Sequence, residues 1–300
     1  MMPRLFVTSL LVLGLAACGS ASDNAQTTTP PSSDLSSVKK DDALAAMLPP
    51  AIASAGKLKV GSNIQNPPNN FYAEDGKTPM GSEVDLIKVI AAKLGLTVEH
   101  SDMAFSSLIT SLETSRVDVT MAAMNDTAER QQKIDFVDYF TSGITIMVQK
   151  GNPQQVKGPE DLCGKGIAVN LGSSQEQFAK EQSQKCLDQR KPEVQLSVTD
   201  SDTGNQNQLR TGRVAAILND LPTAVYVSKT AGDGSFFEVV PLAPINGGPY
   251  GIGVNKQNPQ LSAAIKAALQ ALIDDGTYSK ILTVWDIKQG AITKAAINGK

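Results

Sequence analysis

The chain has 300 residues, 41% of them hydrophobic and 19% charged, with a formal net charge of −3 and a pI near 5.3. That balance argues against a nucleic-acid partner. His100 is the single histidine and no cysteine pair stands at ligand spacing, which argues against a transition-metal site and leaves only carboxylate sites open; neither metal nor cofactor is expected.

Met1–Arg4 is short and basic, and the apolar run Leu5–Leu15 follows it. About ten apolar residues cannot cross a hydrocarbon core that needs roughly twenty, so residues 1–17 read as a signal peptide. Leu15-Ala16-Ala17-Cys18 resembles the lipobox of bacterial lipoproteins. The resemblance implies a lipid on Cys18 and a body held at a membrane, outside the cytoplasm; the alternative is a plain signal peptide with an incidental cysteine. Gly19–Ser37 is mostly Ser, Thr, Ala, Asp and Pro, too poor in apolar groups to offset its ordering entropy. A flexible tether is expected over 18–50. Cys163 and Cys186 then remain in an oxidising compartment, where pairing is expected; two free thiols are the alternative.

From residue 51 onward there is chain enough for two lobes. Lys57-Leu58-Lys59-Val60-Gly61 reads as a strand running into a polar loop. Ser82–Leu94 places Val84, Ile87, Ile90, Ala91 and Leu94 on one helical face. A strand at Leu96–Glu99, a helix over Ser106–Ser115 and a strand over Val117–Met121 follow. The second unit begins near Pro153, with strand Gly166–Asn170, helix Gln175–Cys186, strand Val214–Asn219 and helix Pro222–Lys229. Strand Tyr250–Val254 and the helices Pro259–Asp274 and Thr277–Trp285 close the chain. Strands alternating with helices predict an α/β fold with a largely parallel sheet.

Several segments in order carry a family resemblance: Gly81-Ser82-Glu83-Val84-Asp85-Leu86, Arg116-Val117-Asp118-Val119, Thr127-Ala128-Glu129-Arg130, Ile134-Asp135-Phe136-Val137-Asp138-Tyr139 and Gly212-Arg213-Val214. Asp275-Gly276-Thr277-Tyr278 then precedes a helix ending at Trp285. From Lys57 to Asp286 the chain resembles the family 3 extracellular solute-binding proteins, the polar amino-acid receptors of ABC importers. The resemblance implies a two-lobed periplasmic-binding-protein type II fold with a hinge of two crossing strands. Lobe one would comprise 51–142 plus 248–300, and lobe two 143–247. The implied partners are a small-molecule amino acid, ABC permease subunits and a membrane reached through the lipid, with the protein itself a monomer.

An α-amino acid offers one carboxylate and one ammonium, which a guanidinium fork and a carboxylate recognise most directly. By position, Arg130 matches the family's carboxylate clamp in the first turn of a helix, and Asp220 matches its ammonium-binding aspartate. Ala122, Ala123 and Asn125 match its main-chain and polar contacts. Ser173 and Ser174 open a helix whose amides can meet an anion. Phe105 matches an aromatic wall, and Asn170 and Asn219 match side-chain contacts. Asn63 and Asn66 stand where relatives carry an acid and an aromatic, with Phe71 or Tyr72 as a replacement wall. Asn63 weakens the case for a lysine or arginine ligand, and the amides together point to a neutral polar one such as glutamine or asparagine. The competing readings are a cyclohexadienyl (prephenate or arogenate) dehydratase-like enzyme on the same scaffold and an amino-acid-sensing lipoprotein. No Ser-His-Asp order, P-loop or HExxH supports catalysis, and no enzyme activity is expected.

Overall fold

The computed structural model describes residues 35–299. Cys18, the signal peptide and most of the expected tether lie outside the described residues.

One continuous sheet organises the described chain. Its central path runs Thr97–Asp102, Lys57–Ser62, Val119–Thr120, Ile245–Asn255, Ile134–Gln149, Ala216–Asp220, Gly166–Asn170 and Gln195–Thr199, with Phe237–Val239 and Ala296–Ile297 also paired to Ile134–Gln149. The outer strands on each side pair in parallel, as the alternation of strands and helices predicts. Ile134–Gln149 and Ile245–Asn255 run antiparallel in the middle. The burial of nearly every residue along Ile134–Gln149 marks a strand covered on both faces.

These two long strands divide the apolar residues between two cores. Val137, Tyr139, Phe140, Tyr250 and Ile252 pack with the helices Ser82–Lys93 and Pro259–Asp274. Ile144, Ile146 and Val148, further along the same strand, pack instead with Ile167, Phe178 and Leu218. The passage from one core to the other therefore falls between Phe140 and Ile144, where the register shifts between Ile245 and Gly248 on the partner strand. Gly143 is needed there, because a Cβ would lie 2.9 Å from both the Ile245 carbonyl and the Pro244 Cβ. Among the described residues two strands cross at this level, and a pair of crossing strands is the geometry that permits hinge motion.

The tether expectation requires a correction at its C-terminal end. Asp41 caps the short helix Asp42–Ala45, and Pro50–Ala55 forms a second helix. Leu35, Val38, Leu44 and Met47 pack against the first core, and Leu48 is only 5% exposed. Asp41 N donates to the Lys93 carbonyl at 2.9 Å and Gln260 Nε2 to the Leu48 carbonyl at 3.2 Å. The Ser/Thr/Pro composition that argues for disorder stops near Ser37; beyond it apolar side chains return and find a surface to cover.

In the second lobe Cys163 and Cys186 are bonded, their Cα atoms 5.6 Å apart. The bridge ties the turn Pro159–Leu162 to the helix Ser174–Asp188. The region around Arg130 also differs from expectation: Arg130–Gln132 is a single 3-10 turn rather than the start of an α-helix, and it leads directly into the long strand.

Candidate functional site

A polar cavity lies between the lobes beside the crossing strands. Its lining includes Asn63, Asn66, Phe105, Ala123 and Asn125 from the first lobe and Asn170, Ser173, Ser174, Asn219 and Asp220 from the second. Its volume of about 40 Å³ holds a few water molecules. All the sequence-predicted site residues except Arg130 thus converge on one space. Arg130 lines the adjoining groove, which shares Phe105, Asn125, Ser173 and Ser174 with the cavity.

Strand ends and helix starts place these side chains. Ala216–Asp220 ends in Asn219 and Asp220, and the helix Leu221–Thr230 begins at once with Pro222 in its first turn. Asp220 is therefore held at the lip of the sheet. Gln175 Nε2 donates to its Oδ1 at 2.9 Å, and its own backbone N–H donates to Asn219 Oδ1 at 2.8 Å. Burial pushes the Asp220 carboxyl up to about 7, against the pull of Arg130. On the other lobe, burial holds the Arg130 guanidinium below its ordinary range, and Asp220 acts in the opposite sense. Each charged group would be relieved by a partner of opposite charge.

Arg130 already spans the lobes. Its guanidinium donates to the Asn125 carbonyl at 2.8 Å and to the Gly172 carbonyl at 3.0 Å, and its Cζ lies 5.5 Å from the centroid of the Phe105 ring. The two hydrogen bonds leave three of its five N–H groups for other acceptors. Phe105 is half-buried; it faces this cation on one side and packs against the core around Leu108 and Leu112 on the other. Ser174 Oγ donates to Asn125 Oδ1 at 2.7 Å, a second link between lobes. Ser173 caps the helix Ser174–Asp188 by accepting from Glu176 N, which sets the first-turn amides of that helix beside the cavity.

Ala123 takes a left-handed conformation with φ of 48°, uncommon for a residue with a Cβ. Glu83, from the first turn of Ser82–Lys93, holds it there. Its buried carboxyl accepts from Ala123 N at 2.7 Å and from Tyr139 Oη and Asn70 Nδ2 as well. Burial pushes Glu83 up to about 7, with those three donors pulling the other way. That helix can start where it does because Gly81 has φ of 128° and a Cβ would fall 2.2 Å from the Asn69 carbonyl oxygen.

The polar loop after the first strand also closes onto the second lobe. Thr223 Oγ1 donates to Asn66 Oδ1, and Asn69 Nδ2 reaches Thr223 Oγ1 at 3.5 Å. Asn63 Nδ2 is turned to the Met103 carbonyl at 3.2 Å. Phe71 and Tyr72 do not supply the replacement wall. Phe71 packs 5.9 Å from both Tyr226 and Trp285, and the Tyr72 hydroxyl donates to Asp102, because the strand pair Phe71–Tyr72 and Pro79–Met80 carries both away from the cavity.

Gln175, Asp202 and Asn205 also line the cavity, and the sequence reading did not single them out. Asp202 and Asn205 lie on the helix Asp202–Arg210, after the strand Gln195–Thr199. The strand is only five residues long, with Leu196 and Val198 its two apolar positions, and the helix is largely polar with no clear apolar period. The usable signal was local: Ser201 precedes Asp202 as an N-cap type, and an acid follows in the first turn.

A model of the bacterial extracellular solute-binding proteins, family 3, matches residues 58–288. The arginine-binding protein ArgT of Corynebacterium glutamicum is 30% identical over 255 residues, covering 84% of this chain and 82% of ArgT. The L-cystine-binding protein TcyJ of Escherichia coli is 29% identical over 235 residues, covering 78% of this chain and 84% of TcyJ. Among solved structures, an ancestral arginine-binding protein bound to arginine superposes with a TM-score of 0.70 at 36% identity, over 77% of this chain and 98% of that one. The α/β architecture described above is thus the two-lobed periplasmic-binding-protein type II fold that the sequence predicts.

Proposed function

This chain belongs to the bacterial extracellular solute-binding proteins, family 3, and from that premise we propose that it is a non-catalytic receptor for a polar amino acid outside the cytoplasm. In this reading it hands the ligand to the permease of an ABC importer. The observation that carries the proposal is the meeting of Asp220, Asn125, Ala123 and Ser174 in one interlobe cavity, with Arg130 in the groove that adjoins it.

The roles follow from charge. Asp220 takes the α-ammonium, and its raised proton affinity falls when a cation arrives. The free N–H groups of Arg130 and the first amides of the helix Ser174–Asp188 take the α-carboxylate. Because Arg130 and Asp220 stand on different lobes, a ligand bound by both stabilises the closed arrangement, and closure is what a permease can sense. The asparagines at 63, 66, 170 and 219 offer donors and acceptors to a polar side chain, which suits an amide such as glutamine or asparagine. Relatives named for arginine and cystine support an amino acid but leave the side chain to be established. We place the lipid on Cys18, so that the segment before Leu35 holds the receptor near its membrane.

Calorimetry against a panel of the twenty amino acids, with mass spectrometry of any solute released from purified protein, tests the proposal. Micromolar or tighter binding of at least one amino acid is expected. No binding across the panel would refute it.

A further inference from the structure

Asn63, in place of an acid, points to a neutral ligand, yet the opposite wall of the same cavity carries an acid of its own. Asp202 lines the cavity and is 6% exposed. As the first residue of a helix capped by Ser201, it could serve only the helix dipole. That role works equally well in solvent and gives no reason to bury a carboxylate against a cavity. Around it the amides are locked in a chain: Thr199 Oγ1 donates to Asn205 Oδ1 at 2.8 Å, and Asn205 Nδ2 donates to Asn170 Oδ1 at 2.8 Å. With its oxygen taken, Asn170 has only its N–H groups to offer the cavity side, and these favour a negative charge beside them.

Among the described residues, no lysine or arginine forms an ion pair with Asp202 or with Asp220. Buried carboxylates without a cation are costly unless something neutralises them. Burial pushes Asp202 up to about 6, and its charge in turn helps to raise Asp220. The cavity therefore has two acids on one lobe, and Arg130, the cation opposite, stands in the adjoining groove. One α-ammonium can neutralise only one of the two acids.

We propose that Asp202, beside Asn170 and Asn205 in the cavity lining, is a second cation-recognising group of this cavity, so that the ligand is an amino acid with a cationic side chain, a guanidinium or an ammonium. The inference rests on the receptor reading and selects within it: the acid lacking at position 63 is supplied from the other lobe. Arginine fits the pattern best, since a planar guanidinium presents two parallel N–H groups that match both oxygens of the Asp202 carboxylate.

The test compares arginine with citrulline, its uncharged isostere, and with glutamine, by calorimetry on the full chain and on Asp202→Asn. The intact protein is expected to bind arginine about tenfold or more tightly than citrulline, the ratio of a charged to an uncharged hydrogen bond. Asp202→Asn is expected to bring that ratio close to one. If the intact protein binds citrulline or glutamine as tightly as arginine, the receptor reading stands and the role of Asp202 falls. The same follows if the variant keeps the ratio. Binding of no amino acid at all would sink both. The comparison on the intact protein decides the matter even if the variant fails to fold.

Discussion

Replacing Arg130 by alanine probes the closed site most directly. Its guanidinium donates to Asn125 O at 2.8 Å on one lobe and to Gly172 O at 3.0 Å on the other. Of the two, the bond to Gly172 joins the lobes, and a charged hydrogen bond contributes about 1.5 kcal/mol at the low end of its range, so its loss disfavours closure by about that much. The bond to Asn125 and the contact with Phe105 lie within the first lobe and hold the guanidinium in place. If only the closed form holds the ligand, affinity falls by the same factor as the closed population. That alone is on the order of tenfold in Kd, before the direct bonds to the ligand carboxylate are counted. Arg130→Lys retains the charge but not the fork, and an intermediate loss is expected. The assay is calorimetric titration of the intact protein and both variants with the tightest-binding amino acid, with circular dichroism to establish that each is folded. A folded Arg130→Ala protein whose Kd stays within about threefold of the intact value would refute the reasoning.

Three other outcomes are expected. Glu83→Gln replaces one acceptor oxygen by a donor where Ala123 N, Tyr139 Oη and Asn70 Nδ2 all require acceptors. It should destabilise the fold by about 1–3 kcal/mol in a denaturant titration and weaken ligand binding, because Ala123 loses its anchor; unchanged stability would count against the network. Replacing Cys163 and Cys186 by serine opens a loop with a sequence separation of 23. A loss of about 3 kcal/mol is expected on the chain-entropy model, with ligand binding preserved at low temperature, and a melting temperature equal to that of the intact protein would exclude a structural role. The pH dependence should have opposite signs with and without ligand. In the ligand-free protein Glu83, Asp138 and Asp220 are raised to about 7 and Asp202 to about 6, above their ordinary values. The folded form then holds protons that the unfolded chain releases, so thermal stability should rise as pH falls from about 7 to about 5. Ligand binding requires Asp220 ionised, so affinity should fall over the same range, by up to about tenfold per pH unit for each proton released. A flat Kd between pH 8 and 5 would contradict that assignment.

Local chemistry made much of this protein legible without coordinates. The period of Ser82–Lys93 and of Pro259–Asp274 identifies both helices to within a residue, since a buried face repeats every turn. The motif around Asn219 and Asp220 places an acid at a strand end, and the acid lines the cavity there. What periodicity left unread was the 16-residue strand Ile134–Gln149, which is buried on both faces and so shows no alternation. The five-residue strand Gln195–Thr199 offers only two alternating apolar residues, and the polar helix Asp202–Arg210, which brings Asp202 to the cavity, offers no period at all. Composition described Gly19–Ser37 but not the next residues, because Val38, Leu44 and Leu48 acquire their meaning only from the helices they cover.

Which charges face each other was decided by the tertiary structure alone. The chain dictates that Arg130, Asp202 and Asp220 exist; the antiparallel crossing of Ile134–Gln149 with Ile245–Asn255 folds two lobes onto one another and sets these residues around one cavity and its adjoining groove. Residues far apart in sequence meet there because sheet pairing and core packing, not local propensity, determine long-range proximity. The charge balance of the cavity, and with it the kind of side chain it can hold, is a property of that meeting.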